Sequence, residues 1–286
     1  MMERLFLAPA AALSLVLLFA SCNGDSAGNW ADLPDHLDGG IVVYGDSRTG
    51  HDVHTWLMEG MASLAPTAVF HTGDLVNDGT DPNDWLIFNN IVSRLPSDTP
   101  IYPALGNHEK ESALYFNNFE LPGNERWYSI DDIVNYNLIV LDTESNLAEG
   151  STQYQWLESE LLSSVSATDY TLVFFHYPLY STGYHPEDEK GIRDDLVPIF
   201  EQYGVDAVFN GHDHNYERST VGGIRYVVTG GGGAPLRGQY HSSDHSDLFA
   251  KTYHFCILYF DDPQNLTVDV WDRKVNLIDR FVIENR

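Results

Sequence analysis

Five short apolar runs in this chain each stop within a few positions of an Asp, Asn or His. Asp46 follows residues 41–44, Asp74 follows 67–70, Asn107 follows 101–104, His176 follows 171–175 and His212 follows 205–209. Runs of this length and composition, ended by turn residues, read as buried strands. Between them, residues 53–64, 85–95, 154–162 and 196–203 carry helical apolar spacing. Strands alternating with helices build a largely parallel sheet, and in open α/β sheets ligands bind beyond the carboxyl ends of the strands. Polar groups far apart in sequence are therefore expected to meet along one edge.

Residues 127–130 and 138–142 read as further strands. After His212 the helical pattern disappears. Residues 224–229, 254–260, 266–271 and 279–283 are strand-like and separated by Gly, Pro or Asn. The expected fold class is α/β, with layers of sheet and helix and a second sheet. No internal repeat and no linker long enough to divide residues 39–286 is present.

The chemistry of the five terminal residues is specific. Carboxylate, amide oxygen and imidazole together suit Zn, Mn or Fe rather than a thiolate-preferring metal. A shared Asp can bridge two ions about 3.5–4 Å apart. His214 follows His212 by two positions, and two imidazoles in one turn are costly to bury without a partner. No Gly-x-Ser-x-Gly nucleophile elbow occurs. Of the two cysteines, Cys256 lies in an apolar run and reads as a core residue.

Composition excludes other classes. With 42 acidic against 15 basic side chains, the net charge of −27 argues against a nucleic-acid backbone as partner. Two cysteines exclude a disulfide framework, and 43% hydrophobic residues exclude global disorder. The acidity has two readings: a surface kept monodisperse by repulsion, or adaptation to high salt, where screening removes that repulsion.

The amino terminus reads as a targeting segment. Arg4 precedes an apolar run at 10–20 that is too short for a comfortable membrane span. Leu18-Phe19-Ala20-Ser21-Cys22 resembles a bacterial lipobox, although Phe19 departs from the aliphatic residue preferred there. Residues 1–21 are then a lipoprotein signal peptide, Cys22 is the lipidated residue, and 22–38 is a polar tether. This implies an exported protein, lipid-anchored in a bacterial cell envelope. The alternative is an ordinary signal peptide and a secreted product.

Taken together, Gly45-Asp46, Gly73-Asp74, Gly106-Asn107-His108-Glu109, His176 and Gly211-His212-Asp213-His214 resemble the calcineurin-like metallophosphoesterase family. The segments GHDHNYER at 211–218 and HYPLYSTGYH at 176–185 are similar to its purple acid phosphatase branch. TGGGGAPL at 229–236 looks like a late glycine-rich loop of that branch's bacterial members. The resemblance spans about residues 41–284. It implies a four-layer α/β/β/α sandwich of two mixed β-sheets flanked by helices, forming one catalytic domain at 39–286. It also implies two metal ions of unassigned identity. Asp74 would bridge them, Asp46 and His214 would hold the first, and Asn107, His176 and His212 the second. His108 would protonate the leaving oxygen or hydrogen-bond the phosphate.

The implied reaction is hydrolysis of a phosphate ester, with metal-bound hydroxide attacking phosphorus in line. A phosphomonoesterase is favoured. The alternatives are a phosphodiesterase or pyrophosphatase, or a non-catalytic envelope protein that binds a metal or glycan. No protein partner is implied. Two departures bear on the first ion. Arg48 stands where most of the family has a histidine, and Asn77 where purple acid phosphatases have a tyrosine. Asn77, Asp78 or water is then expected to complete that ion's shell, and Arg48 to offer phosphate a two-pronged contact. His185 and Tyr184 are expected to contact the substrate's leaving group.

Overall fold

The computed structural model describes residues 28–164, 170–262 and 265–284. The predicted signal at 1–21 and Cys22 lie outside the described residues. Among the described residues, no helix is long and apolar enough to cross a membrane.

Two mixed sheets face each other. The first contains β1 (Ile41–Tyr44), β2 (Ala68–His71) and β3 (Ile101–Pro103), followed later in the chain by β11 (His254–Asp262), β12 (Asn265–Asp272) and β13 (Leu277–Ile283). Its order is β13-β12-β11-β1-β2-β3. β1, β2 and β3 are parallel, whereas β11 pairs antiparallel with β1 in a register that sets Val43 against Cys256.

The second sheet holds β4 (Tyr128–Ile130), β5 (Tyr136–Val140), β6 (Tyr170–Phe174), β7 (Ala207–Asn210), β8 (Tyr216–Val221), β9 (Ile224–Thr229) and β10 (Ser246–Ala250). Its order is β10-β8-β9-β7-β6-β5-β4, with β5, β6, β7 and β9 parallel.

Apolar side chains from the facing sheets interdigitate between them. Phe70 of β2 stacks on Phe174 of β6 with ring centroids 4.3 Å apart. A second core lies between the first sheet and helices α1 (His51–Ser63) and α2 (Pro82–Val92). A third lies between the second sheet and helices α4 (Thr152–Ser164) and α5 (Arg193–Tyr203). These are the four expected layers. Helix boundaries follow local chemistry: Asp81 caps α2 by accepting from Asn83 N, Pro82 opens it, and Gly204 at φ 72° ends α5. A short helix α3 (Ala113–Asn118), capped by Ser112, was not expected from the sequence. Nor were β8 and β10.

The expected tether is corrected in its described part. Residues 28–38 are docked on the domain through two short 3₁₀ turns. Trp30 is buried, donates its indole N–H to Trp56 O at 2.8 Å, and packs on Phe255. Leu37 is fully buried. The Asp, Gly and Pro content suggested a linker, but one indole and one leucine supply enough apolar burial, on the order of a few kcal/mol, to seat the segment.

Candidate metal centre

The parallel strands of both sheets deliver their carboxyl ends to one cleft between the sheets. Loops after β1, β2 and β3 bring Asp46, Asp74 and Asn107. Loops after β6 and β7 bring His176, His212 and His214. All six lie at this edge, and all but the half-buried Asn107 are buried. Asp46 (φ 56°), Asp74 (φ 58°) and His212 (φ 68°) each adopt the left-handed region, at a cost of roughly 1–2 kcal/mol per residue. That conformation turns each chain sharply at its strand end and aims the side chain inward.

The distances form one network. His176 Nε2 lies 3.1 Å from Asn107 Oδ1, 3.2 Å from His212 Nδ1 and 3.5 Å from Asp74 Oδ1. His214 Nε2 lies 3.5 Å from Asp46 Oδ1. Each imidazole has its other nitrogen secured. His176 Nδ1 donates to Thr72 O at 2.9 Å, His214 Nδ1 donates to Pro235 O at 2.9 Å, and His212 Nε2 meets Glu189 Oε2 at 3.0 Å. A ring fixed in this way presents an unprotonated nitrogen to the cleft, as a metal ligand must.

The electrostatics agree. Burial depresses the imidazoles of His176, His212 and His214, the last to about 3, so all three are neutral. Burial, and then the Asp74 charge, push Asp46 well above the usual carboxylate range. Among the described residues, Asp46 Oδ1 has no hydrogen-bond donor. Burial also raises Asp74, but His176, His108 and Arg48 outweigh it and hold this carboxyl below its ordinary value. Buried carboxylates beside neutral imidazoles, one with an orphaned oxygen, are a donor set that calls for cations. The residues present therefore fit a centre for two metal ions.

The remaining predicted residues take clear positions. Arg48 Nε bonds Asp74 Oδ2 at 3.1 Å, and its Nη2 lies 3.4 Å from His214 Nε2. His108 donates its backbone N–H to Asp74 Oδ1, ties its Nδ1 to Asn77 O, and places Nε2 3.8 Å from Asp74 Oδ2. His185 stacks on His212 with centroids 3.8 Å apart. The expected substitutes for a fourth ligand are corrected. The Asn77 side chain is exposed, and Asp78 is held by Lys110 and Thr80. Cys256 is buried as expected, its thiol pushed up to about 12 by desolvation.

Several supporting residues escaped the sequence reading. Glu109 is fully buried and accepts from Asp74 N, Leu75 N, Val76 N and Gly106 N, which clasps the loops carrying Asp74 and Asn107 together. Burial, and then the Asp74 charge, raise its carboxyl to about 8, against the pull of those amides. Asp213 accepts from Tyr184 N, His185 N and Ser181 Oγ, and Glu217 accepts from Thr182 N and Oγ1. Together they fix the loop at 181–185. The glycine run at 230–233 has a steric reason: a Cβ at Gly232 would sit 2.3 Å from Gly45 O, and one at Gly230 2.8 Å from Asp46 Oδ2. Gly73, at φ 95°, likewise gives His176 room, because its Cβ would come within 2.7 Å of His176 Nδ1.

Two buried carboxylates, an amide and three imidazoles, drawn from the edges of two packed sheets, form a candidate dinuclear metal centre in an α/β/β/α sandwich. Residues 24–216 match the calcineurin-like phosphoesterase family, and the chain belongs to that family. It is 30% identical over 210 residues to purple acid phosphatase 1 of Ipomoea batatas, covering 65% of this chain and 44% of that protein. It is also 30% identical over 220 residues to a phosphoenolpyruvate phosphatase of Allium cepa, covering 68% of this chain and 45% of that one. The chain thus spans under half the length of these curated relatives. Among solved structures, the purple acid phosphatase PPD1 from yellow lupin seeds superposes with a TM-score of 0.76 at 23% identity, covering 85% of this chain and 53% of that one.

Proposed function

We propose that this protein is a metal-dependent phosphoester hydrolase acting on phosphate monoesters. The observation that carries the reading is the set of three neutral imidazoles, each tied at one nitrogen and presenting the other to the cleft that holds Asp46 and Asp74. Asp46, Asp74 and His214 would hold one ion, and Asp74, Asn107, His176 and His212 the other. Bound ions of this kind neutralise charge on phosphoryl oxygens and lower the pKa of water. Asp74 keeps the two halves of the centre in one register, and Glu109 fixes its loop.

Arg48 and His108 flank Asp74 and face the same cleft. A guanidinium beside the carboxylates orients phosphate oxygens in two-pronged fashion. His108 Nδ1 donates to Asn77 O, so a proton delivered to the leaving oxygen comes from Nε2 of the imidazolium. The fixed Arg48 guanidinium on the cleft suits a monoester dianion better than a diester monoanion. An aryl monoester and the matching diaryl ester, assayed with and without a chelator, test this. Chelator-sensitive turnover of the monoester is expected. Faster turnover of the diester would reassign the substrate class.

The Arg48–Asp74 ion pair favours one competing reading, a protein that binds a single ion without hydrolysis. No turnover by metal-loaded protein would support it. The amino-terminal signal pattern supports export with lipidation at Cys22. Cys22→Ser should move the protein from the membrane fraction to the soluble fraction with its specific activity unchanged. Unaltered fractionation would favour a plain secretory signal.

A further inference from the structure

Beside the metal centre stands an arginine that the reading above does not use. Arg237 follows the glycine run, and its backbone N–H donates to the carbonyl of His214 at 3.0 Å. Its Nη1 lies 2.6 Å from His185 Nε2, and its guanidinium stacks on the Tyr184 ring at 4.2 Å. Tyr184 in turn meets Tyr240 edge-on at 5.4 Å. The arrangement is built rather than incidental. Thr182 O accepts from Tyr240 N and His241 N, and Gln239 Nε2 donates to Thr182 Oγ1. The segment at 237–241 is thereby laced to the loop at 181–185, which Asp213 and Glu217 hold from below.

The electrostatic setting is unusual for a chain of net charge −27. Among the described residues, no carboxylate pairs with the Arg237 guanidinium, whereas Arg126, Arg218 and Arg280 all pair with Asp. His185 uses Nδ1 on Glu189 Oε2 at 3.1 Å and Nε2 on Arg237, so the guanidinium is oriented by a fixed imidazole. Its remaining N–H groups have no further hydrogen-bond partner among the described residues. Tyr184 and Tyr240, 52% and 62% exposed, leave the assembly open to solvent.

We infer that Arg237, with the Tyr184 and Tyr240 rings, forms a subsite that selects phosphate esters whose leaving group carries a second anionic group, a carboxylate or a further phosphoryl group. The inference rests on the proposed hydrolase reading and narrows it. An unpaired guanidinium held at the rim of the centre binds such a group in two-pronged fashion while the ester phosphorus lies among the metal ligands. The exposed rings flank the carbon skeleton between the two charges. A charge-assisted contact of this kind is worth about ten- to hundred-fold in discrimination.

The test compares phenyl phosphate with 4-carboxyphenyl phosphate, using metal-loaded full-length protein, wild type and Arg237→Leu. The expected result is a wild-type kcat/KM that favours the carboxylated ester, carried mainly by KM. In Arg237→Leu that preference should fall by about ten- to hundred-fold, and Arg237→Lys should restore part of it. Phosphonoacetate and methylenediphosphonate, which cannot be hydrolysed, serve as competitive inhibitors and probe the carboxylate and phosphoryl sources separately. Each should lose affinity in Arg237→Leu relative to inorganic phosphate if its class is accepted. Equal losses on both esters would assign Arg237 a structural role and overturn the inference, as would an unchanged ratio. Turnover of neither ester by the wild type would remove the hydrolase reading itself, and the inference with it.

Discussion

The two halves of the metal centre are built on different terms. On the second-ion side, His176 Nε2 lies within 3.2 Å of both Asn107 Oδ1 and His212 Nδ1, and the imidazoles are locked by Thr72 O and Glu189. On the first-ion side, Asp46 carries a buried oxygen without a donor, His214 stands 3.5 Å away, and Arg48 brings a positive charge of its own to Asp74. One half is organised around neutral donors that need a cation. The other is already partly neutralised by the protein. The same carboxylate, Asp74, serves both, so the charge supplied by Arg48 on one side weakens what Asp74 offers an ion there. Preorganisation alone therefore predicts two unequal sites.

The most severe way to break this contrast is Asp74→Ala. Both ions should be lost together, and hydrolysis should fall below detection by metal analysis and turnover of the same preparation. Full turnover in this variant would refute the site as drawn. Next comes His108→Ala, which leaves both shells intact and should slow alkyl esters by about 10²–10⁴-fold, with a smaller loss on activated aryl esters. Uniform loss on both ester types would mean that His108 does not deliver the proton.

Glu189→Gln sharpens the comparison by acting on one half only. Removing the carboxylate that orients His212 should weaken the tighter site by about 10–100-fold in calorimetric titration and spare the other. The subtlest change is expected from Arg48→His, which trades a fixed charge for a donor. The weaker site should tighten toward its neighbour, and phosphate, which in the wild type should promote filling by bridging that ion and the guanidinium, should no longer do so. Two equal affinities in the wild type, indifferent to phosphate, would remove the distinction altogether.

The strand ends were legible because their signal is local. An apolar run that stops at an Asp, Asn or His can be read without knowing what it faces, and this picked out the residues that the fold gathers at the cleft. The helices at 53–64 and 196–203 were legible through their spacing. β8 was not, because its buried Glu217 and Ser219 are polar and Glu217 is held by Thr182 and Ser246, which erases the alternation. β10 is a short, half-buried edge strand whose apolar Leu248, Phe249 and Ala250 are consecutive, so no alternation marks it. Glu109, Asp213 and Glu217 stand inside the motifs at 106–109 and 211–218, but their supporting role leaves no pattern, since most of their partners are backbone amides and hydroxyls on loops distant in sequence. Trp30 was missed for a related reason. Its place depends on Gly60, whose Cβ would lie 2.5 Å from the indole, and that pairing of an indole with a gap is visible only in three dimensions.

The position of the centre between the sheets has a mechanical consequence. Asp46, Asp74 and Asn107 belong to one slab of the sandwich, and His176, His212 and His214 to the other. An ion held by Asp74 and His176 would be a rivet through both. Shear of one slab over the other would have to extract it, whereas the apolar seam alone offers no such directional resistance. The rim loops would then breathe on one clock when loaded and on a faster one when stripped, with amide exchange slowed on both slabs by the same event.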